Sequence, residues 1–296
     1  MPTTVIELLA KRVWYRNLTK IQKMRSGDPS PETSTTHSSP ATRLPQEIIE
    51  MIIVYLIYDK HSLCACTLTC YSWYIAAVPH LHHTLVIDTD RPRDRKSRWP
   101  DAVRRMHMLG LLPLVKKLYI YASMFYDYHI SAVTPKTLHC RALHKFSALT
   151  NVQELGIESL DISKFMPELQ RHFGHFLPTV RSLTLISPKG SHRQIIYFIG
   201  LFRHLEDLKL VFRQPGPIPT VGDLTLIPPF APPLRGRLKM KLSMEVELVE
   251  DMIRLFGGIQ FHSMDLLCVG GTRLLLNACV ETLETLRLHQ TDPHGK

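Results

Sequence analysis

The sequence predicts a mixed α/β chain in which a three-helix unit near the N-terminus is followed by an irregular, solenoid-like arc of helix, turn and strand repeats. Three observations predict it. Between Leu44 and Ala77 apolar residues fall at helical spacings without a strand signal. Beyond residue 110 one leucine-rich spacing recurs five times. Hydrophobic residues make up 45% of 296 and charged residues 21%, enough apolar surface to offset the entropy of ordering a chain this long.

Residues 1–42 are expected to be a tail. Val5, Leu8, Leu9, Val13, Trp14, Leu18 and Ile21 give residues 1–25 the pattern of a short basic amphipathic helix. Glu7, Lys11 and Arg12 interrupt its apolar run, so neither a signal peptide nor a membrane span is expected. From Ser26 to Thr42 the chain is rich in Ser, Thr and Pro and cannot pack a core, which predicts a linker.

The helical domain is expected over 43–80. Pro45 suits a first helical position because it has no amide hydrogen to lose, and Glu47 and Glu50 place negative charge in the opening turns. Ile48, Ile52 and Leu56 form one stripe, yet Ile49, Met51, Ile53 and Tyr55 spread apolar surface around the circumference. Ser62 is the expected cap of a second helix carrying Leu63, Cys66, Cys70 and Trp73, and a third segment runs on until Pro79 stops it. So short a bundle cannot hide this much apolar surface, and a partner is implied.

The residues Leu44-Pro45, Glu47, Ile48, Ile52, Leu56, Leu63, Leu68 and the closing Cys70-x-x-Trp73 resemble the F-box family, in particular its fungal type. Tyr71 departs from the pattern, standing where the family commonly has a basic residue. The resemblance covers about 35 residues. It implies docking to a Skp-type adaptor, and through it to a cullin ubiquitin ligase, with Leu44, Pro45, Glu47, Ile48, Ile52, Leu56, Leu63, Leu68 and Trp73 as the adaptor-binding residues.

Residues 81–296 carry the repeat. Its copies are Leu112, Val115, Leu118, Ile120; Leu149, Val152, Leu155, Ile157; Leu177, Val180, Leu183, Leu185; Phe202, Leu205, Leu208, Leu210; and Val280, Leu283, Leu286, Leu288. The closing pair has strand period two, and the three-residue steps before it suit a helical lead-in. The steps between copies are 37, 28, 25 and 78 residues, so two further units are expected in the last gap, with strands near Leu238-Met240-Leu242 and Met264–Val269. Leu85-Val86-Ile87 is a candidate first strand, and helices are expected over Ile162–Phe176, Gln194–Phe202 and Val246–Phe256. The spacing resembles the leucine-rich repeat, in which stacked strands line the concave side of an arc. It departs from that family where Asn or Cys would bond the turn: here stand Ser123, Leu160, Pro188, Arg213 and Thr291. Seven prolines between Pro215 and Pro233 predict an extended loop.

Little else points to chemistry. Cys64, Cys66 and Cys70 lie near His61, His80, His82 and His83, but without paired ligand spacing they read as small core residues rather than zinc ligands. Gly257-Gly258 and Gly270-Gly271 read as turns, and no phosphate loop, His-Glu-x-x-His helix or Gly-x-Ser-x-Gly elbow occurs. No metal, no cofactor and no catalysis are expected. Six unevenly scattered cysteines suit a reducing compartment, so the cytoplasm or nucleus is expected.

The expected function is that of a recruiter, holding an adaptor with its helices and an unknown substrate protein with the repeat arc. The residues expected to point outward from the concave face are Lys117, Tyr119, Tyr121, Glu154, Glu158, Thr184, Lys209 and Arg287. The formal net charge of +10 is concentrated between Arg91 and Arg105, with seven Lys or Arg against two Asp. That gives a second reading, a non-catalytic scaffold binding protein or nucleic acid through residues 91–105.

Overall fold

A computed structural model describes residues 44–88, 98–121, 143–212, 233–241, 246–255, 258–267 and 271–289. The expected amphipathic stretch 1–25, the linker 26–42, the basic residues 91–97, the proline-rich residues 215–232 and the turn positions Ser123, Arg213 and Thr291 lie outside the described residues. The chain divides into two compact units, Met1–Thr84 with Arg105–Val115, and Leu85–Arg104 with Lys116–Lys296.

In the first unit, helix α1 spans Gln46–Tyr55, α2 Lys60–Thr67 and α3 Tyr71–Leu81. Pro45 stands one position earlier than the sequence suggests: it is the cap residue, and its carbonyl accepts the amides of Ile48 (3.1 Å) and Ile49 (3.2 Å). The cap of α2 is Asp59 rather than Ser62. The Asp59 carboxylate accepts the amides of His61 (3.0 Å) and Ser62 (3.2 Å) and the Ser62 hydroxyl (2.6 Å), and these bonds, that hydroxyl's foremost, hold its pKa below the ordinary value. A charged acceptor closer to the exposed amides outcompetes the serine. Pro79 does not stop α3, which runs two residues further. Ile49, Ile53, Leu63, Cys66, Trp73, Ala76 and Ala77 form the core, with Ile52, Leu56, Cys70 and Leu81 packed against it. On the other side of α3, Tyr74 and Val78 meet Leu111, with Met106, Leu109 and Leu114 around them.

Helix α4 spans Arg98–Met108, and the division between the two units falls inside it. The second unit is built on one eight-stranded sheet whose strands follow chain order. They are β1 (Thr84–Asp88), β2 (Lys117–Tyr121), β3 (Glu154–Glu158), β4 (Ser182–Ile186), β5 (Asp207–Val211), β6 (Leu234–Lys241), β7 (Ile259–Leu267) and β8 (Thr285–His289). From β2 to β8 every neighbour pair is parallel. Helices α5 (Ile162–Phe173), α6 (His192–Gly200), α7 (Val246–Leu255) and α8 (Thr272–Ala278) lie between strands in the chain, as parallel pairing requires.

The register brings the recurring sequence positions together. Leu118, Leu155, Leu183, Leu208, Leu238, Met264 and Leu286 form one row across the sheet, and Ile120, Ile157, Leu185, Leu210, Met240, Leu266 and Leu288 a second. From β2 to β7 each of these residues is at most 2% exposed. At about 1.5–3 kcal/mol per fully buried aliphatic side chain, the rows contribute a large share of the unit's stability. On β8 the rows run out of cover, and Leu286 and Leu288 are 40% and 51% exposed. Phe173 is fully buried, with ring centroids 5.0 Å from Phe146, 5.9 Å from Phe165 and 5.5 Å from Phe176.

The lead-in to the strands differs from the expected helix. Leu143–Ala148 before β3 and Leu177–Thr179 before β4 are 3-10 turns, whose three residues per turn match the three-residue apolar spacing better than an α-helix does. Backbone amides also tie the strands together at their beginnings. The Lys116 carbonyl accepts the amides of Gln153 (2.8 Å) and Glu154 (3.0 Å), Gln153 those of Arg181 (2.8 Å) and Ser182 (3.0 Å), and Arg181 those of Glu206 (2.7 Å) and Asp207 (2.9 Å). Strands β2 to β5 are thus bonded to one another at the residue just before each begins. Beyond two strand ends the chain turns through Ser159 (φ 56°) and Ser187 (φ 46°), whose amides bond Ile186 and Val211 of the following strand.

Candidate functional site

Two surfaces place the sequence-predicted residues, one in each unit. In the helical unit the apolar circumference of α1 is split between inside and outside. Ile49 and Ile53 face the core at 1% and 0% exposure, while Leu44, Ile48, Met51, Val54 and Tyr55 are exposed at 38%, 38%, 57%, 54% and 86%. Ile48, Met51 and Tyr55 are spaced by three and four residues, which sets them on one side of the helix, and Leu44 precedes its cap. Tyr58 and Leu68, at 93% and 68%, add to the exposed apolar surface. Pro45 and Glu47 are also exposed.

The expected adaptor-binding residues therefore separate into two groups. Leu44, Pro45, Glu47, Ile48 and Leu68 are open, and Ile52 and Leu56 are half-buried against the core. Leu63 and Trp73 are interior, at 0% and 9%, so they hold the bundle's frame instead of offering contact surface. Met51, Val54, Tyr55 and Tyr58 are exposed apolar residues that the sequence reading did not select as contacts. Apolar residues on every side of α1 leave the inward pair undetermined until α3 packs against it. Of the cysteines, Cys66 is buried, which pushes its thiol pKa up, and Cys64 is exposed; among the described residues no three His, Cys, Asp or Glu side chains gather as metal ligands do.

On the sheet, Lys117, Tyr119, Tyr121, Glu154, Glu158, Thr184 and Lys209 are half-buried and Arg287 is exposed, all at positions alternating with the buried rows. This outward face is laced with ion pairs between neighbouring strands. Lys117 meets Glu154 at 2.7 Å, Arg237 holds Asp207 with two bonds, and Asp265 is shared by Lys239 and by His289 at 2.8 Å. The Lys239 ammonium, followed by His289, holds the Asp265 carboxyl below its usual range against a smaller opposing effect of burial. Tyr119 and Tyr121 stack at 6.3 Å with 15° between their planes. The Tyr119 ring lies over Gly156, where a β-carbon would come within 2.2 Å of it.

Strands β6 and β7 are parts of the face absent from the expected residues, and β6 carries the most charge. Its outward residues, Arg235, Arg237, Lys239 and Lys241, are all basic. Alternation with the buried Leu234, Leu238 and Met240 is the signal that could have found them. No described helix is long and apolar enough to cross a membrane. Of the basic segment, Arg104 is described and lies 3.5 Å from Asp101 on the same helix.

Comparison with known families finds an F-box-like match over residues 41–88. It takes in helices α1, α2 and α3 and the first strand. No curated protein matches the chain. The chain therefore carries an F-box-like domain, of the kind that in general binds Skp-type adaptors in SCF ubiquitin ligases.

Proposed function

We propose that this protein is a non-catalytic, substrate-recruiting subunit of a cullin-based ubiquitin ligase, acting in the cytoplasm or nucleus. Its F-box domain, of the fungal type with Cys70-x-x-Trp73 at its close, docks to a Skp-type adaptor and through it to the cullin. The sheet unit, a degenerate leucine-rich repeat array, carries the target protein on its outward face. The reaction belongs to the partner enzyme, and this chain contributes position: two proteins held on one support meet at high effective concentration without any bond being made or broken here.

The observation that carries this reading is the uncovered apolar side of α1 within a domain matched as F-box-like. Ile48, Met51 and Tyr55 on one side of α1, with Leu44 before its cap, are exposed, and covering them with a partner removes that apolar surface from water. A pull-down with a purified Skp-type adaptor tests it. The wild-type chain should hold the adaptor at both low and moderate salt, because the contact is apolar. The Leu44→Ala, Pro45→Ala double variant and the Ile48→Glu variant should each lose at least about tenfold in affinity. Full retention in both variants would remove the docking edge from this reading.

The second reading, a scaffold binding protein or nucleic acid through residues 91–105, makes the opposite salt prediction. Phosphate-driven binding collapses steeply as salt rises.

A further inference from the structure

Several outward charges of the sheet are paired across neighbouring strands at the same register: Lys117 with Glu154, Arg237 with Asp207, Lys239 with Asp265. On β5 and β6 like charges meet instead. Lys209 is registered directly against Lys239, and Lys241 sits two residues further along β6. Neighbouring strands are about 4.8 Å apart and alternate residues about 6.6 Å apart, so three lysines share a patch about 8 Å across. Lys239 is drawn away to Asp265. Lys209 and Lys241 have no ion-pair partner among the described residues. Like charges set opposite each other destabilise a sheet, so this cluster opposes folding and asks for another reason to be there.

The surroundings of the two free lysines specify what answers them. In the row of Lys241 the neighbours are Val211 on β5 and Ile186 on β4, both outward and half-buried, and Leu267 on the β7 side is half-buried too. A cationic pair bordered by half-buried aliphatic side chains suits a ligand bearing both negative charge and apolar side chains. Nucleic acid supplies phosphate but no aliphatic groups, and Asp207 and Asp265 interrupt the track that a phosphate backbone would follow.

We propose that the outward face of β4, β5 and β6 is a docking site for an acidic protein segment, with a carboxylate held between Lys209 and Lys241 and a neighbouring aliphatic side chain laid on Ile186 and Val211. The proposal rests on the recruiter reading and specifies the chemistry of the target it would carry. Positive potential on this patch steers acidic segments to it, and the aliphatic contact selects among them.

The test is selection of a random twelve-residue peptide display library on the full-length chain, followed by affinity measurement of the enriched peptides. The wild type should enrich peptides of net negative charge that contain Leu, Ile, Val or Phe. The Lys209→Glu, Lys241→Glu double variant should bind those peptides about tenfold or more weakly, and the Lys209→Arg, Lys241→Arg variant should keep them. Both variants should keep the wild-type urea unfolding transition and far-ultraviolet circular dichroism, which shows that the sheet unit folds. Neutral or basic enriched peptides, no enrichment, or equal binding by the Glu variant would overturn the proposal. So would a twenty-nucleotide single strand that binds the wild type, is lost in the Glu variant and finds no acidic peptide as competitor. If the adaptor fails to bind the wild type while acidic peptides still depend on Lys209 and Lys241, the recruiter reading falls and the docking face stands. The reverse result leaves the adaptor reading and removes the face.

Discussion

Gly236 occupies φ +100° on β6, and a β-carbon there would lie 1.9 Å from the Glu206 carbonyl oxygen. That carbonyl also accepts the Arg237 amide at 2.7 Å, so the backbone cannot retreat without giving up the bond. Gly236→Ala should therefore cost about 2–3 kcal/mol, the strain of a disfavoured backbone added to a contact that must open. Ser159 makes the opposite case. It also sits at positive φ, and its buried hydroxyl has no hydrogen-bond partner. Ser159→Gly should stabilise by about 1 kcal/mol by relieving both costs. Urea unfolding of the two variants beside wild type reads both, and a gain for Gly236→Ala or a loss for Ser159→Gly would contradict the reasoning. These sites also mark where sequence fell short. Glycine in a run of Leu-Arg-Gly-Arg announces a break in the strand without saying which carbonyl approaches it, and serine does not announce positive φ at all.

At the scale of an element, α3 carries a pH dependence. His82 follows the helix's last turn, and burial lowers its pKa from the ordinary 6.5. The unfolded chain therefore takes up a proton near pH 6.5 that the folded imidazole refuses until a lower pH. The stability owed to the neutral ring is complete above pH 6.5 and is lost as the pH falls through the folded value. A plot of unfolding free energy from pH 8 to 5 should slope downward on the acid side, and His82→Gln should flatten that slope. An unchanged slope in the variant would show that the ring titrates alike in both states. The neighbouring α1 shows what was legible and what was not. Its existence follows from Leu44-Pro45 and the acidic first turn, but its orientation does not: the stripe of Ile48, Ile52 and Leu56 is as apolar as the Ile49 and Ile53 pair that the bundle buries. The strands were clearer, because a Leu-x-Leu pair commits its residues to one side. For that reason Leu118 to Leu210 and the strands near Leu85, Leu238 and Met264 could be found in the sequence. The 3-10 turns were hidden behind a three-residue spacing that a helix also allows, and the lysine cluster behind a strand whose polar alternation was read only for its apolar half.

Across the whole chain, the F-box-like domain and the sheet unit are stabilised in different ways. The helices rely on one compact core within a short stretch of sequence, whereas each inner strand leans on the strand before and after it, through two buried rows and, from β3 to β5, paired amides at its beginning. Such a sheet is held together mainly by nearest neighbours. Strand β8 has one such neighbour among the described strands, and its two row leucines are 40% and 51% open to water, where those of β4 are fully sheltered. Deuterium should accordingly enter the amides of residues 285–289 first and those of β7 next, while the amides of β3 and β4 stay protonated longest. The sheet would come apart like a zipper opened from β8, its strength graded by distance from Leu288, so that a fluctuation at β8 is frequent and one at β4 requires much of the unit to open.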